Sequence, residues 1–403
     1  MKWTQEHDDW PGRSPKWAWQ HGDWPCFEYD HTQAYGLSSV DFQLASRQLH
    51  GNIEVLPASD RVETLTNLML SEVLNTNLIE GEMLNRDSVR SSLLVLLGGE
   101  AAGTDHHPDE KSSWAAEFMV DVRNHWNSPL DAALLGRWQT YIVAEQLTSN
   151  IRRGAFRNDP SPMRIVSGSG GRLKVHYEAP PAARVPGEMT RFLDWYNATR
   201  PAGHAGAADA LPGLIRAGIA HVWFEKIHPY DDGNGRVGRA IVDHALSQTL
   251  GYPALACFST AVERSKNAYY QELERVGRGN LNLDAWLGYF TESVRQAQEI
   301  AQRAVNFVLD KTRFYDAYQD QMNDRQKKMV ARVFAEGIDG FEGGINTRKY
   351  CRLTKCSRAT AFRDLDDMLK RGMLVKRPGL GRSVSYDLVT VDRSMYPLIQ
   401  AET

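Results

Sequence analysis

From about Asp60 to Glu80 the chain places Val62, Leu65, Met69, Val73 and Leu74 on one face at helical spacing, which predicts an amphipathic helix ending in Thr76-Asn77-Leu78-Ile79-Glu80-Gly81. Leu211 to Ile227 shows a different pattern. It is largely apolar, carries Trp223 and Phe224, and predicts a buried helix that ends just before Pro229. Val237, Ile241, Ala245 and Leu246 then keep helical spacing up to Leu250-Gly251-Tyr252-Pro253, a glycine stop followed by proline. Residues 211 to 250 therefore read as helix, tight loop, helix. Upstream, Met163-Arg164-Ile165-Val166 and Leu173-Lys174-Val175-His176-Tyr177 are short β-rich runs around Ser167-Gly168-Ser169-Gly170-Gly171, and predict a hairpin. Pro180-Pro181 breaks the chain before a helix containing Met189, Phe192, Leu193 and Trp195.

Near the C-terminus the pattern predicts three more helices and a second hairpin. Met329, Val330, Val333 and Phe334 mark the first helix, and Asn346 to Cys351 begin a short second one. Ser357 is placed as the N-cap of a third, with Leu365 and Leu369 on its apolar face. Gly372 to Val375 and Val384 to Leu388 flank the basic turn Lys376-Arg377-Pro378-Gly379-Leu380-Gly381-Arg382. Residues 324 to 387 carry 15 Lys/Arg against 8 Asp/Glu, whereas the whole chain has a net charge of −3, so positive charge is concentrated in this segment.

At 403 residues the chain is longer than one ordinary domain, and two or three units are expected. Cys26, Cys257, Cys351 and Cys356 have no C-x-x-C pairing or secreted framework and read as reduced thiols of a cytosolic protein. No apolar run approaches a membrane span, and the N-terminus has tryptophans and acids where a signal peptide would have a basic start. The expectation is a cytoplasmic protein with no membrane partner. Five of the eleven tryptophans, Trp3, Trp10, Trp17, Trp19 and Trp24, fall within the first 24 residues. A small cap whose rings pack on the rest of the protein is preferred to a ligand-binding aromatic face. His106-His107-Pro108 has no further metal-ligand spacing around it and reads as a solvated loop.

The candidate chemistry lies in His228-Pro229-Tyr230-Asp231-Asp232-Gly233-Asn234-Gly235-Arg236-Val237-Gly238-Arg239. His228 can accept a proton from a hydroxyl near neutral pH. Asp232 is a hard oxygen ligand of the kind Mg²⁺ takes alongside substrate phosphates. Gly233 and Gly235 allow positive φ and a close approach of backbone N–H groups to an anion, at a helix N-terminus that adds its own partial positive charge. Arg236 and Arg239 lie three apart on one face of the second helix and can bind phosphate oxygens bidentately. Asn234 supplies a neutral amide for a phosphate or ribose oxygen. Glu80, in the last turn of its helix, faces the negative end of the helix dipole and is better placed if a cation meets it.

The twelve-residue run resembles the signature of Fic-domain proteins, His-x-Phe-x-Asp/Glu-Gly-Asn-Gly-Arg-x-x-Arg, at every specified position except that Tyr230 stands where Phe is usual. The resemblance implies protein adenylylation, in which AMP moves from ATP to a target Ser, Thr or Tyr hydroxyl and pyrophosphate leaves. It makes His228 the general base and Asp232 the Mg²⁺ ligand. Gly233, Asn234 and Gly235 become the phosphate cradle, and Arg236 and Arg239 the clamp on the outer phosphates. Thr76 to Gly81 resembles the Fic inhibitory motif, Ser/Thr-x-x-x-Glu-Gly/Asn, which implies that Glu80 pairs with Arg239 and takes the γ-phosphate's place. In some relatives the equivalent glutamate also assists removal of AMP. The hairpin around residue 168 is similar to the flap that holds a target segment by strand addition. Tyr269-Tyr270-Gln271-Glu272-Leu273 is similar to the stretch lining the adenine pocket, with Tyr270 as the chosen contact.

The C-terminal order of elements looks like a winged helix-turn-helix, in which Arg358, Thr360 and Arg363 would face a DNA major groove and the 376 to 382 turn would follow phosphates. A protein-interaction role for the same fold stands beside DNA binding. The expected fold is thus mainly α: a helical Fic core with a β-hairpin flap, plus a C-terminal winged helix. Residues 1–58 would form the Trp-rich cap, 59–100 the inhibitory helix and start of the core, 101–310 the catalytic core, and 311–403 the winged helix. The expected function is autoinhibited transfer of AMP from ATP, with self-modification included. The alternative is a DNA-binding regulator whose Fic core senses nucleotide. The family resemblance also allows a homodimer.

Overall fold

The computed structural model describes residues 15–30, 39–99, 108–145, 151–168, 174–201, 211–255, 257–337, 341–377 and 384–389. The chain divides into two compact units, one of residues 1–51 with 65–301 and one of residues 52–64 with 302–403. Residues 1–51 thus belong with 65–301, and residues 52–64 belong with the C-terminal segment that begins at 302.

Helices dominate. Before the first hairpin come α1 (Ser39–Glu54), α2 (Ala58–Ile79), α3 (Arg86–Leu96), α4 (Glu110–Asn124) and α5 (Ala132–Ile142). Strands β1 (Arg164–Ser167) and β2 (Lys174–Glu178) are followed by α6 (Val185–Ala198), α7 (Gly213–Ile227), α8 (Asn234–Leu250), α9 (Phe258–Arg264), α10 (Lys266–Arg278) and α11 (Asp284–Tyr318). The chain then forms α12 (Asp324–Ala335), α13 (Thr347–Thr354), α14 (Arg358–Lys370), β3 (Leu374–Lys376) and β4 (Tyr386–Leu388).

The apolar run before Pro229 forms the centre of the first unit, and every residue of α7 is buried. Two of its polar members bond to neighbouring elements. Arg216 donates to Tyr196 O and Gln248 Oε1, each at 2.9 Å, and His221 Nε2 lies 2.7 Å from the Tyr269 hydroxyl. Proline at 229 disfavours helical φ/ψ at the residue before it, so α7 stops, and His228 caps it in the left-handed conformation at φ 51°. Gly233, at φ 88°, opens α8, and Gly251, at φ 79°, closes it, as the glycine stop predicts. The apolar face of α2 packs through Met69, Leu70 and Val73 against Val89 and Leu93 of α3 and Ala116 and Val120 of α4.

The hairpin strands are antiparallel, with Ile165 opposite Tyr177 and Ser167 opposite Lys174. Tyr177 is buried at the root of the hairpin, where its hydroxyl donates to Lys226 O at 2.7 Å. Trp17, Trp19 and Trp24 lie in the main hydrophobic core as the cap reading expects, Trp17 stacking edge-on against Tyr177 and Trp24 Nε1 donating to Glu188. Trp3, Trp10, His106 and His107 lie outside the described residues.

In the second unit Asn323, Asn346 and Ser357 cap α12, α13 and α14 by accepting backbone N–H bonds. Lys355, left-handed at φ 53°, makes the turn between α13 and α14. Strand β3 pairs antiparallel with β4, and Ile345 adds a bridge to Tyr386. Met329, Tyr350, Ala361, Leu365, Met368 and Leu374 fill the core between these elements. The tip of the basic turn, residues 378–382, lies outside the described residues. All four cysteines are free of disulfide bonds.

Candidate active site

The loop between α7 and α8 is braced from below by a residue the sequence reading passed over. Arg157 is buried, and its Nε donates to His228 O at 2.8 Å while Nη2 donates to Pro180 O at 2.5 Å and Ile227 O at 3.4 Å. Its own N–H donates to Pro229 O at 2.9 Å. One guanidinium thus ties the carbonyl of His228, on left-handed backbone, to the chain just after the hairpin. Burial, and then the charge of Arg157, hold the His228 imidazole down at about 4, so it is neutral at physiological pH. His228 Nδ1 faces Glu225 O at 3.4 Å, and a proton there leaves Nε2 as the acceptor.

Tyr230 keeps the anchoring role of the usual phenylalanine: it is fully buried against Phe156 and Phe224. Asn234 departs from expectation. Its Oδ1 accepts from Tyr230 N at 2.9 Å and its Nδ2 donates to Tyr230 O at 2.8 Å, so the amide expected to meet a nucleotide oxygen instead clamps the loop's own backbone. Asp232 is partly exposed at the loop surface, where its Oδ1 accepts from Gly233 N at 2.6 Å and lies 3.8 Å from Arg236.

Both motif arginines are buried, and both are gripped by the end of α2. Arg239 donates from Nε to Thr76 Oγ1 and from Nη2 to Thr76 O and Glu80 Oε1, each at 2.8 Å. Glu80 also lies directly against the glycine turn, since a Cβ on Gly235 would stand 2.2 Å from its Oε1. Arg236 donates from Nη1 to Asn77 Oδ1 at 3.2 Å and to Glu82 Oε2 at 3.0 Å, and Lys111 holds the same Glu82 oxygen at 3.1 Å. Glu82 and Lys111 were not singled out from the sequence; the signal available was a second acid two residues beyond Glu80. Tyr270, rather than buried Tyr269, shows an exposed ring, and its hydroxyl donates to Ile79 O at 3.1 Å. The structure therefore brings His228, Asp232, Gly233, Asn234, Gly235, Arg236, Arg239, Tyr270 and Glu80 to one region, with both arginines engaged by carboxylates.

Two family models match the chain: residues 17–98 fit a domain of unknown function (DUF4172), and residues 129–246 fit the Fic/DOC family. Residues 129–246 are a Fic/DOC family domain. The Fic-family "Protein adenylyltransferase Fic" of Culex quinquefasciatus is 24% identical over 209 residues, covering 50% of this chain and 36% of that protein. The "Uridine 5'-monophosphate transferase" of Xanthomonas campestris pv. campestris (strain 8004) is 36% identical over 74 residues, or 18% of this chain and 13% of that protein. The crystal structure of a Fic family protein from Desulfovibrio desulfuricans G20 aligns with a TM-score of 0.47 at 18% identity, covering 89% of this chain and 97% of that one. The chain spans about a third, 36%, of the length of the adenylyltransferases it matches. No described helix is long and apolar enough to cross a membrane.

Proposed function

We propose that the chain is an autoinhibited protein adenylyltransferase that moves AMP from ATP to a hydroxyl of a target protein. The observation that carries this reading is the paired grip of α2 on Arg236 and Arg239, beside a neutral His228 and a glycine turn that leaves room for an anion. Two buried guanidiniums at a helix N-terminus suit the outer phosphates of a nucleoside triphosphate, and carboxylates stand in their place in the resting chain. With Glu80 displaced, a target hydroxyl gives its proton to His228 Nε2 as its oxygen bonds to the α-phosphorus. The bond from that phosphorus to the bridging oxygen breaks and pyrophosphate leaves. The partly exposed Asp232 carboxylate fits Mg²⁺, which would supply charge neutralisation at the inner phosphates. The flap beside His228 would hold an extended target segment, and the exposed Tyr270 would meet the adenine.

The test compares label from α-labelled ATP, γ-labelled ATP and α-labelled UTP on the protein itself and on a cell lysate. Only the α label of ATP is expected to stay on protein. Retained γ label would mean kinase chemistry, and retention of the UTP label instead would move the chain toward the uridylyl activity named for the Xanthomonas protein. No transfer by either wild type or Glu80→Gly would leave the nucleotide-sensing regulator.

One observation favours a DNA-binding role for the second unit: Arg358, Phe362 and Arg363 are exposed along the first turns of α14, and Arg348 and Arg352 are exposed on α13 just before it. In a winged helix the first turns of the recognition helix, here α14, face the major groove, and the helix before it crosses the phosphate backbone. Duplex affinity should then fall steeply with salt, and Arg358→Ala combined with Arg377→Ala should weaken it further. Salt-insensitive binding, or none to any duplex pool, would leave a protein-interaction role.

A further inference from the structure

The flap carries a cluster of side chains that the reading above does not use. Ser167 Oγ lies 2.5 Å from His176 Nε2, and His176 Nδ1 lies 2.7 Å from Glu274 Oε2 on α10. The strand register explains the first contact. Ser167 pairs with Lys174, and His176, two residues along β2, projects on the same face within diagonal reach. Glu274 divides its oxygens between two tasks. Oε1 faces Arg278 Nε at 3.2 Å and Lys174 Nζ at 3.7 Å, which leaves Oε2 for the imidazole. The hydrogen bond from His176 is the main cause holding the Glu274 carboxyl below its ordinary range, so the group is an anion at neutral pH. Hydroxyl, base and orienting carboxylate thus stand in the order that activates a serine. Ser167 is exposed, while the root of the same hairpin is fixed to the chain around His228 through Tyr177 and Arg157.

We propose that Ser167 is a self-modification site, a serine activated by His176 and Glu274 that accepts AMP; this rests on the AMP-transfer reading. In the step, Ser167 Oγ bonds to the α-phosphorus as the bond to the bridging oxygen breaks. The hydroxyl proton passes to His176 Nε2, Glu274 stabilises the imidazolium, and pyrophosphate leaves with the electron pair. His176 does for this one hydroxyl what His228 does for the hydroxyl of a foreign target.

The experiment incubates the full Glu80→Gly chain with α-labelled ATP and maps its tryptic peptides by mass spectrometry, with a lysate labelled in parallel. AMP is expected on Ser167, lost in Ser167→Ala and retained in Ser167→Thr. His176→Gln should slow its appearance by roughly a hundredfold or more, the low end of a general-base contribution, and Glu274→Gln should slow it as well. Labelled lysate proteins with Ser167 bare, or self-label mapped only to other residues, overturn the proposal and leave AMP transfer standing. Modification of Ser167 at an undiminished rate in His176→Gln also overturns it, by reducing the cluster to a structural tie. No label on any protein overturns both readings.

Discussion

Glu80→Gly is expected to raise AMP transfer about a hundredfold or more, most visibly as self-modification. The carboxylate both engages Arg239, at 2.8 Å, and places negative charge against Gly235, where the outer phosphate would sit on the proposed reading. Two unit charges about 4 Å apart at an effective dielectric near 20 interact by roughly 4 kcal/mol, and about 1.4 kcal/mol is a factor of ten. Part of that is offset because Glu80 is about one-third exposed, with a side-chain exposure of 30%, and can swing into water. Glu82→Gln should activate less. It frees Arg236 from one carboxylate but leaves Asn77 on the guanidinium and Glu80 in place. Arg239→Ala should not activate, because it removes the phosphate clamp together with the brake. Radiolabel incorporation measured side by side on these variants is the check. Equal rates for wild type and Glu80→Gly under saturating Mg-ATP would return Glu80 to an ordinary helix-end glutamate.

The parts of the site that were legible in the sequence are those whose partners are close in the chain or fixed by a long motif. Pro229 and Gly233 dictate where α7 stops and α8 starts, so the placing of His228, Arg236 and Arg239 follows from local backbone rules. Glu80 was legible only through its motif, since nothing local says that a residue 159 positions further on will meet it. Arg157 illustrates what stayed hidden. A lone arginine before a hairpin is usually a solvated charge, and its role appears only when the carbonyls of residues 180, 227 and 228 converge on it. From sequence alone Asn234 reads as a ligand contact, because amides often bind phosphate or ribose oxygens. In a loop this tight, however, the nearest unsatisfied groups are the backbone N–H and C=O four residues back, and they claim both ends of the amide. The unit boundary at 301 falls inside α11, a continuous 35-residue helix, where no glycine, proline or change of period marks it.

Replacing His228 with alanine in the Glu80→Gly chain should lower AMP transfer to targets by about 10² to 10⁴, the range of a positioned general base, with little loss of folding. The pH dependence separates a catalytic role from a packing role. Because the His228 pKa is depressed to about 4, the neutral, proton-accepting form prevails above that pH, and kcat/KM should fall only as pH drops through about 4. The same depression means that the unfolded histidine binds a proton the folded one refuses. Stability contributed by this group should therefore decline as pH falls from about 6.5 toward 4. Arg157→Gln removes the second-ranked cause of the shift and one tie on the left-handed backbone, so the acidic limb should move upward, toward 6.5. A nuclear magnetic resonance titration of the His228 ring would follow this shift without relying on turnover. A His228 ring titrating near 6.5 in the unmodified site would sink the argument, because the base would then lose its proton-accepting form over the range where a neutral imidazole is expected to work.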